Sequence, residues 1–193
     1  MEPVVEIAYA GEREAAPGRL RLVQQFVNTV DAEHGREILS DPVRLRVVLS
    51  DLGLLTADAP VGADDLGRAL AVREALRSLA LANNGGGLDP EALATLEEAA
   101  AAGKLAVRFA AGGTSLDGLE PGVRGALATL VGIVHTAVAD GTWPRLKACR
   151  RDACGWLFYD RSRNRSARWC QMAVCGNRTK TRAYRTRRRA AST

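Results

Sequence analysis

Several residue types and motifs are scarce or missing in this sequence, and their absence excludes some classes of protein. Aromatic residues make up only 5% of the 193 residues, there are two histidines, and three of the 27 basic residues are lysines. The sequence contains no apolar run of about eighteen residues, so it predicts no membrane-spanning helix. No nucleotide-binding loop or nucleophile motif stands in a suitable context, so we expect no enzyme activity and assign no catalytic residues.

The first residues of the chain are short of the features that mark an export signal. Residues 1–6 have no basic segment ahead of an apolar core. We therefore expect a cytoplasmic protein, in a compartment where thiols stay reduced, and no membrane partner.

Charge is divided unevenly along the chain. Residues 1–140 hold 12 basic against 20 acidic residues, a balance of −8, whereas residues 141–193 hold 15 against 2, a balance of +13. Because the sign changes near residues 142–144, we predict two domains, 1–141 and 142–193. Arginine supplies 24 of the basic residues, and its planar fork suits phosphate and guanine contacts.

The acidic part reads as mostly helical. Apolar spacing and Asp-Pro cap signatures predict helices at about 17–35, 41–53, 64–81, 89–103 and 121–138. Alternation from Leu105 to Phe109, followed by a turn at Gly112-Gly113, predicts a small half-buried hairpin. The predicted fold class is therefore α+β: a mostly helical N-terminal domain with a small β-hairpin, followed by a small C-terminal four-cysteine module and a basic helix.

Two polar residues interrupt the first apolar stripe. Asn28 and Thr29 directly follow Phe26 and Val27. Such residues usually satisfy nearby backbone groups. The alternative is that Asn28 and Thr29 line a pocket.

All four cysteines come after residue 148. Four residues separate Cys149 from Cys154, fifteen residues follow, and four more separate Cys170 from Cys175. Two short pairs at this separation are typical of a four-thiolate zinc site. We predict one Zn²⁺ per chain, held by these four cysteines. Disulfides are the alternative, and a reducing compartment disfavours them.

An aromatic, β-prone run follows the first cysteine pair. Alternation places Trp156 and Phe158 on one face, and Leu157 and Tyr159 on the other. Small zinc modules lack a large core, so we expect these residues and Trp169 to pack around the metal. Stacking on nucleic-acid bases is the alternative use of the rings.

The residues around the second cysteine pair resemble a known family. Cys175 begins a Cys-Gly-Asn-Arg sequence, and with it come the upstream cysteine pair, the run at 158–164 and Arg168-Trp169. Together they resemble the CGNR zinc finger over about residues 145–189. That finger is found at the C-terminus of bacterial proteins whose N-terminal part is called the ABATE domain.

The N-terminal part resembles the ABATE domain more loosely. The resembling stretches are residues 26–29, 53–55, 73–76 and the hairpin at Gly112-Gly113. Gln24-Gln25 stand where family members often have Leu-Asp. The resemblance implies a stress-induced transcription regulator, with the zinc finger attached to an effector or interaction domain.

A basic segment directly follows the last cysteine. If a helix begins near Cys175, the arginines at 178, 182, 185 and 189 share one face. Residues next to the metal are placed to read base edges, and the distal ones to contact phosphates. A solvated tail is the alternative. The predicted nucleic-acid-binding residues are Asn177, Arg178, Lys180, Arg182, Arg185, Arg188 and Arg189.

Three functions fit these features. A zinc-dependent DNA-binding transcription regulator, responsive to stress or to a ligand, is favoured, with DNA as partner. An RNA- or ribosome-associated zinc module would use the same basic surface. A zinc–thiolate redox sensor is the third, because arginines beside thiolates lower their pKa and raise their reactivity. The effector, the DNA site and the oligomeric state stay open.

Overall fold

Helices dominate the fold, as the sequence predicts. The computed structural model describes residues 15–32, 34–151, 153–177 and 179. The described residues form five α-helices: α1 (Leu20–Val27), α2 (Pro42–Asp51), α3 (Ala63–Ala82), α4 (Pro90–Ala102) and α5 (Val123–Ala139).

The strands form three separate antiparallel ribbons of two strands each within the described residues. They are β1 (Val30–Asp31) with β2 (Arg36–Glu37), β3 (Leu105–Ala110) with β4 (Gly113–Gly118), and β5 (Leu146–Ala148) with β6 (Leu157–Tyr159). The α+β prediction is confirmed.

Two helices begin where the Asp-Pro signatures predict. Asp41 Oδ1 accepts a hydrogen bond from Arg44 N at 2.9 Å, and Asp89 Oδ1 accepts one from Glu91 N at 3.0 Å. In each case the proline that follows the cap occupies the first helical position, where its missing N–H costs nothing.

The first helix is shorter than predicted. The apolar spacing predicts a helix as far as residue 35, but α1 ends at Val27. The chain then forms the β1–β2 ribbon, and Ile38 N donates to Thr29 O at 2.9 Å. The early end places Asn28 directly after α1, and its side chain bonds to the backbone of Leu157 in β6.

The β3–β4 hairpin forms where predicted, but its apolar face is only partly covered. It packs on α5 closely, because a Cβ at Gly132 would lie 2.4 Å from Leu116 O. Val107 and Phe109 of β3 are nevertheless 54% and 84% exposed. The prediction of a half-buried strand is therefore wrong at these two residues.

The main hydrophobic core contains residues from both sides of the predicted domain boundary at 141/142. The cluster built by the helices also contains residues from beyond 141: Trp143, Leu146, Ala148, Leu157 and Tyr159. The division at 141/142 stays a prediction, and residues on its two sides pack against one another. In the part of the chain that the structure describes, no helix is both long and apolar enough to cross a membrane.

Candidate metal centre

The four cysteines meet at one point. Cys149 directly follows β5, Cys154 ends the turn that leads towards β6, and Cys175 lies in a π-helical turn at Met172–Gly176. Cys170 completes the group, and the four sulfurs all lie within 4.8 Å of one another. Three of the four residues are buried, so the sulfurs face inward.

The sulfur spacing fits zinc. Cys154 Sγ lies 3.7 Å from Cys170 Sγ, which lies 3.6 Å from Cys175 Sγ. A tetrahedral site with Zn–S bonds of about 2.3 Å needs neighbouring sulfurs about 3.8 Å apart. The donor set and spacing therefore fit one Zn²⁺ held by Cys149, Cys154, Cys170 and Cys175.

Electrostatics also favour a cation at this point. The Cys149 and Cys170 thiols bond to Cys154 and lower its pKa to about 2. The bond to Cys154 raises the pKa of Cys149 to about 11, although the bond to Cys170 acts to lower it. Bonds to Cys149 and Cys154 raise the pKa of Cys170. The cluster by itself favours one thiolate over four, since adjacent negative charges repel. A divalent cation at the centre removes that repulsion and permits full deprotonation.

Backbone hydrogen bonds shape both cysteine turns. In the first, Cys149 N donates to Trp156 O at 2.9 Å, and Gly155 takes φ +60° to turn the chain. In the second, Gln171 O accepts from Cys175 N at 2.9 Å and from Gly176 N at 3.2 Å. Hydrogen bonds within each turn therefore set its local shape.

The β5–β6 ribbon has two different faces. Leu157 and Tyr159 belong to the main core, whereas Phe158 packs on the cysteine cluster with Trp156. The alternation predicted from the sequence is confirmed. One short ribbon thus joins the helical core to the metal site, with one face for each.

Aromatic rings cover the cysteines, as expected for a small zinc module. Phe158 is 2% exposed, and Trp156 and Trp169 are partly buried against the same cluster. Packing of these rings at the metal site matches the predicted small core. This packing favours a structural role for the rings over base stacking.

The outer edge of β6 is completed by a side chain of the helical part. In the ribbon, Ala148 and Leu157 face each other without exchanging hydrogen bonds, so the polar backbone groups of Leu157 point outward. Asn28 Nδ2 donates to Leu157 O at 2.9 Å, and Leu157 N donates to Asn28 Oδ1 at 2.8 Å. The amide of Asn28 thus takes the place of a neighbouring strand.

The opposite edge, on β5, is completed in the same way from the end of α3. Asn83 Nδ2 donates to Trp143 O and Leu146 O, both at 2.9 Å. Asn84 Nδ2 donates to Ala148 O at 2.8 Å and to Arg168 O at 2.9 Å. Asn84 therefore holds the residue before Cys149 together with the segment that leads to Cys170.

Arg77 adds a third connection between the helices and the first cysteine turn. Its Nη1 donates to Gly155 O at 2.5 Å and its Nη2 to Val27 O at 2.8 Å. Glu74 holds the guanidinium through Nε at 2.9 Å. Burial acts to raise the pKa of Glu74, but its bonds to Arg77 and Arg73 outweigh burial and lower the pKa overall, which favours the charged carboxylate.

A buried ion pair organises the segment between the cysteine pairs. Lys147 Nζ lies 2.7 Å from Asp160 Oδ2, with the side chains 6% and 1% exposed. Lys147 also donates to Arg165 O at 2.6 Å and to Ala167 O at 3.3 Å. Burial raises the pKa of Asp160, but its bonds to Lys147 and Ser162 lower it more. All three ammonium protons thus have an acceptor.

Asn28 and Thr29 use their side chains for structure. Asn28 is 2% and Thr29 0% exposed. Thr29 Oγ1 donates to Phe26 O at 2.8 Å and accepts from Arg73 Nη1 at 3.2 Å. Neither residue lines the large cleft of about 870 Å³, which lies between residues 53–60 and the start of α5.

The sequence reading overlooked several residues that position the site. It gave no role at the site to Arg77, Asn83, Asn84, Lys147 or Asp160. A pair of amides at the end of a long helix was the available signal, because amide side chains can hydrogen-bond to the backbone of another segment. Lys147 between Leu146 and Ala148 gave no signal, since its burial depends on Asp160.

Most of the predicted nucleic-acid contacts lie outside the described residues. Asn177 is described and is exposed at the end of the π-helical turn, two residues after the buried Cys175. Arg178, Lys180, Arg182, Arg185, Arg188 and Arg189, and with them the predicted basic helix, lie outside the described residues.

The first prediction concerns the metal. The purified chain should hold one zinc, and Cys170→Ser should lose it on dialysis against a chelator, because three thiolates and a hydroxyl make a weaker site. Elemental analysis measures the content. Ala153→Ser, which adds a hydroxyl at an exposed position between Cys149 and Cys154, should keep its zinc. Equal zinc in both variants would contradict the assignment.

The second prediction concerns the edge of β6. Asn28→Ala leaves Leu157 N buried without an acceptor, while Leu157 O keeps its bond from Gln24 Nε2 at 3.2 Å. One such group costs about 1–3 kcal/mol, so the free energy of unfolding of the zinc-loaded protein should fall by about that amount in a denaturant titration. The exposed Asn164→Ala control should change it by less than about 0.5 kcal/mol. Equal stability of the two variants would refute the role of Asn28.

Two family models match the chain. The model of the CGNR zinc finger matches residues 145–188. The ABATE model, described as "Putative stress-induced transcription regulator", matches residues 20–152. The matched ranges share residues 145–152, where the structure joins the helices to the metal site. No curated protein matches the chain. Because the ABATE match covers more than half of its residues, the chain belongs to the ABATE family and carries a CGNR zinc finger at its C-terminal end.

Proposed function

We propose that this protein is a zinc-dependent DNA-binding transcription regulator. The observation that carries the proposal is the position of the metal site directly before the basic segment. Cys175 is 1% exposed and bonded through its N–H to Gln171 O, and Thr179 Oγ1 donates to Cys175 O at 2.8 Å. A metal at the four cysteines would therefore fix the point from which the basic segment leaves.

The charge distribution supports nucleic acid as the partner of that segment. The balance is +13 over residues 141–193 against −8 over residues 1–140. Basic residues that neutralise phosphates release counterions, so such a partner is bound in a strongly salt-dependent way. The description of the ABATE family as a transcription regulator favours DNA among polyanions.

Position along the basic segment assigns different tasks to its residues. Asn177 and Arg178 stand next to the metal, where placement is most exact, so we assign them to base edges in the groove. Arg185 and Arg189 stand farther away, and we assign them to phosphates, which position the protein without reading sequence.

The third prediction tests this function on duplexes selected from random DNA. With about four to six phosphates neutralised, log affinity should fall against log salt with a slope of about −4 to −5. Arg185→Gln should flatten that slope by about one for every sequence, whereas Asn177→Ala should lower discrimination between sites by about 1–3 kcal/mol. Anisotropy titrations at several salt concentrations measure both quantities.

An arginine of the helical part provides the control. Arg36 is exposed in β2, and Arg36→Gln removes the same charge without touching the finger, so its slope should equal that of the parent. Absence of duplex binding at low salt would refute the function. Equal affinity for structured RNA would favour the RNA-associated alternative.

A further inference from the structure

The segment between β6 and Cys170 is a second concentration of arginine. We call residues 161–168 the arginine loop. It contains four arginines and no acidic residue. Every residue of the loop except Ala167 is exposed. The basic segment after Cys175 is therefore not the only part of the zinc finger that is rich in positive charge.

The backbone of the arginine loop is held by buried charge. Asp160 Oδ1 accepts from Ser162 N at 2.9 Å, and its Oδ2 accepts from Ala167 N at 3.0 Å. Lys147 neutralises Asp160 and bonds to Arg165 O. Burying such a pair carries a large desolvation cost, so it adds little net stability. Its structural result is to fix both ends of an exposed loop.

The far end of the loop is anchored at the metal site. Arg168 O accepts from Arg150 N at 3.1 Å and from Asn84 Nδ2 at 2.9 Å, and Cys170 follows two residues later. The loop is therefore tied to the first cysteine turn, to α3 and to a metal ligand. A loop fixed in this way loses little conformational entropy when it binds a partner.

The arginine side chains themselves are available for binding. Among the residues that the structure describes, the guanidinium groups of Arg163, Arg165 and Arg168 make no ion pair and no side-chain hydrogen bond. Arg161 differs, since its Nη2 donates to Ala15 O at 2.9 Å and it stacks on Tyr159 at 5.4 Å. Three unpaired guanidinium groups on a fixed backbone match the bidentate geometry that phosphate accepts.

We propose that the arginine loop is a preformed phosphate-binding surface, and that Arg163 and Arg168 contact the sugar–phosphate backbone of duplex DNA. The inference rests on the proposed function and adds to it a site separate from the basic segment. Ser162, Asn164 and Ser166 are exposed in the same loop and supply neutral hydrogen-bond donors, which commonly bind phosphate oxygens. The loop contributes affinity and orientation rather than base readout.

The test uses the full-length, zinc-loaded protein and one duplex. Arg163→Gln combined with Arg168→Gln should flatten the salt slope by about 1.8, at about 0.9 for each phosphate contact. If affinity near 1 M salt is unchanged, that slope lowers affinity near 0.1 M salt by roughly 60-fold. The loss should be the same for every duplex sequence. Zinc content and the thermal midpoint should match the parent, because the backbone anchors do not involve these guanidinium groups.

A matched double variant separates local contact from net charge. Arg36→Gln with Arg44→Gln removes two charges from exposed positions of the helical part and should leave the slope unchanged. If both double variants flatten the slope equally, only overall charge matters and the loop is no site. If the loop variant keeps the parent slope while Arg185→Gln flattens it, the proposed function stands and the loop inference fails. If the parent binds no duplex, or prefers structured RNA, both fail.

Discussion

The pairing of helix-end amides with the open edges of the β5–β6 ribbon is the interaction on which the rest of this structure depends. A two-stranded ribbon is barely stable by itself, and each of its outer edges carries unpaired backbone groups. Here Asn28 completes one edge and Asn83 with Asn84 completes the other. The helices thereby stabilise a ribbon that is too short to be stable by itself.

The metal site inherits its geometry from that arrangement. Cys149 directly follows the strand that Asn84 caps, and Gly155, beside Cys154, accepts from Arg77. The sulfurs are therefore positioned by groups that lie more than sixty residues earlier in the chain. Metal binding in small modules is coupled to their folding. In this protein we expect the coupling to extend into α1 and α3, since the same ribbon has its other face in the helical core.

Local patterns in the sequence were enough for most of the helices, for the β3–β4 hairpin and for the metal ligands, but they missed the early end of α1 and the β1–β2 ribbon. Asp-Pro caps marked the starts of α2 and α4, alternation divided the faces of β6, and cysteine spacing identified the metal site. Long-range pairings were beyond those patterns. Asn28 looked like a residue that satisfies its own helix, yet it bonds to Leu157, 129 residues away. Val107 and Phe109 alternate as a half-buried strand would, yet both are exposed in the folded chain.

The same limit applies to charge. Arginine content marked the C-terminal part as basic. The sequence did not show, however, that Lys147 is buried in an ion pair with Asp160 while Arg163 is exposed to solvent. Only the folded backbone decides which cations are neutralised inside and which face solvent. Contacts with the helices hold the ribbon and the first cysteine turn, whereas the Lys147–Asp160 pair holds the arginine loop.

Amide hydrogen exchange with and without a chelator measures directly whether the metal site and the helices stabilise each other. Removal of zinc should speed exchange across residues 146–159 and also at the ends of α1 and α3, around Asn28 and Asn84, whose side chains bond to the ribbon. The centre of α5 should stay protected and serve as the internal reference. Faster exchange confined to residues 145–177, with the ends of α1 and α3 unchanged, would contradict this coupling.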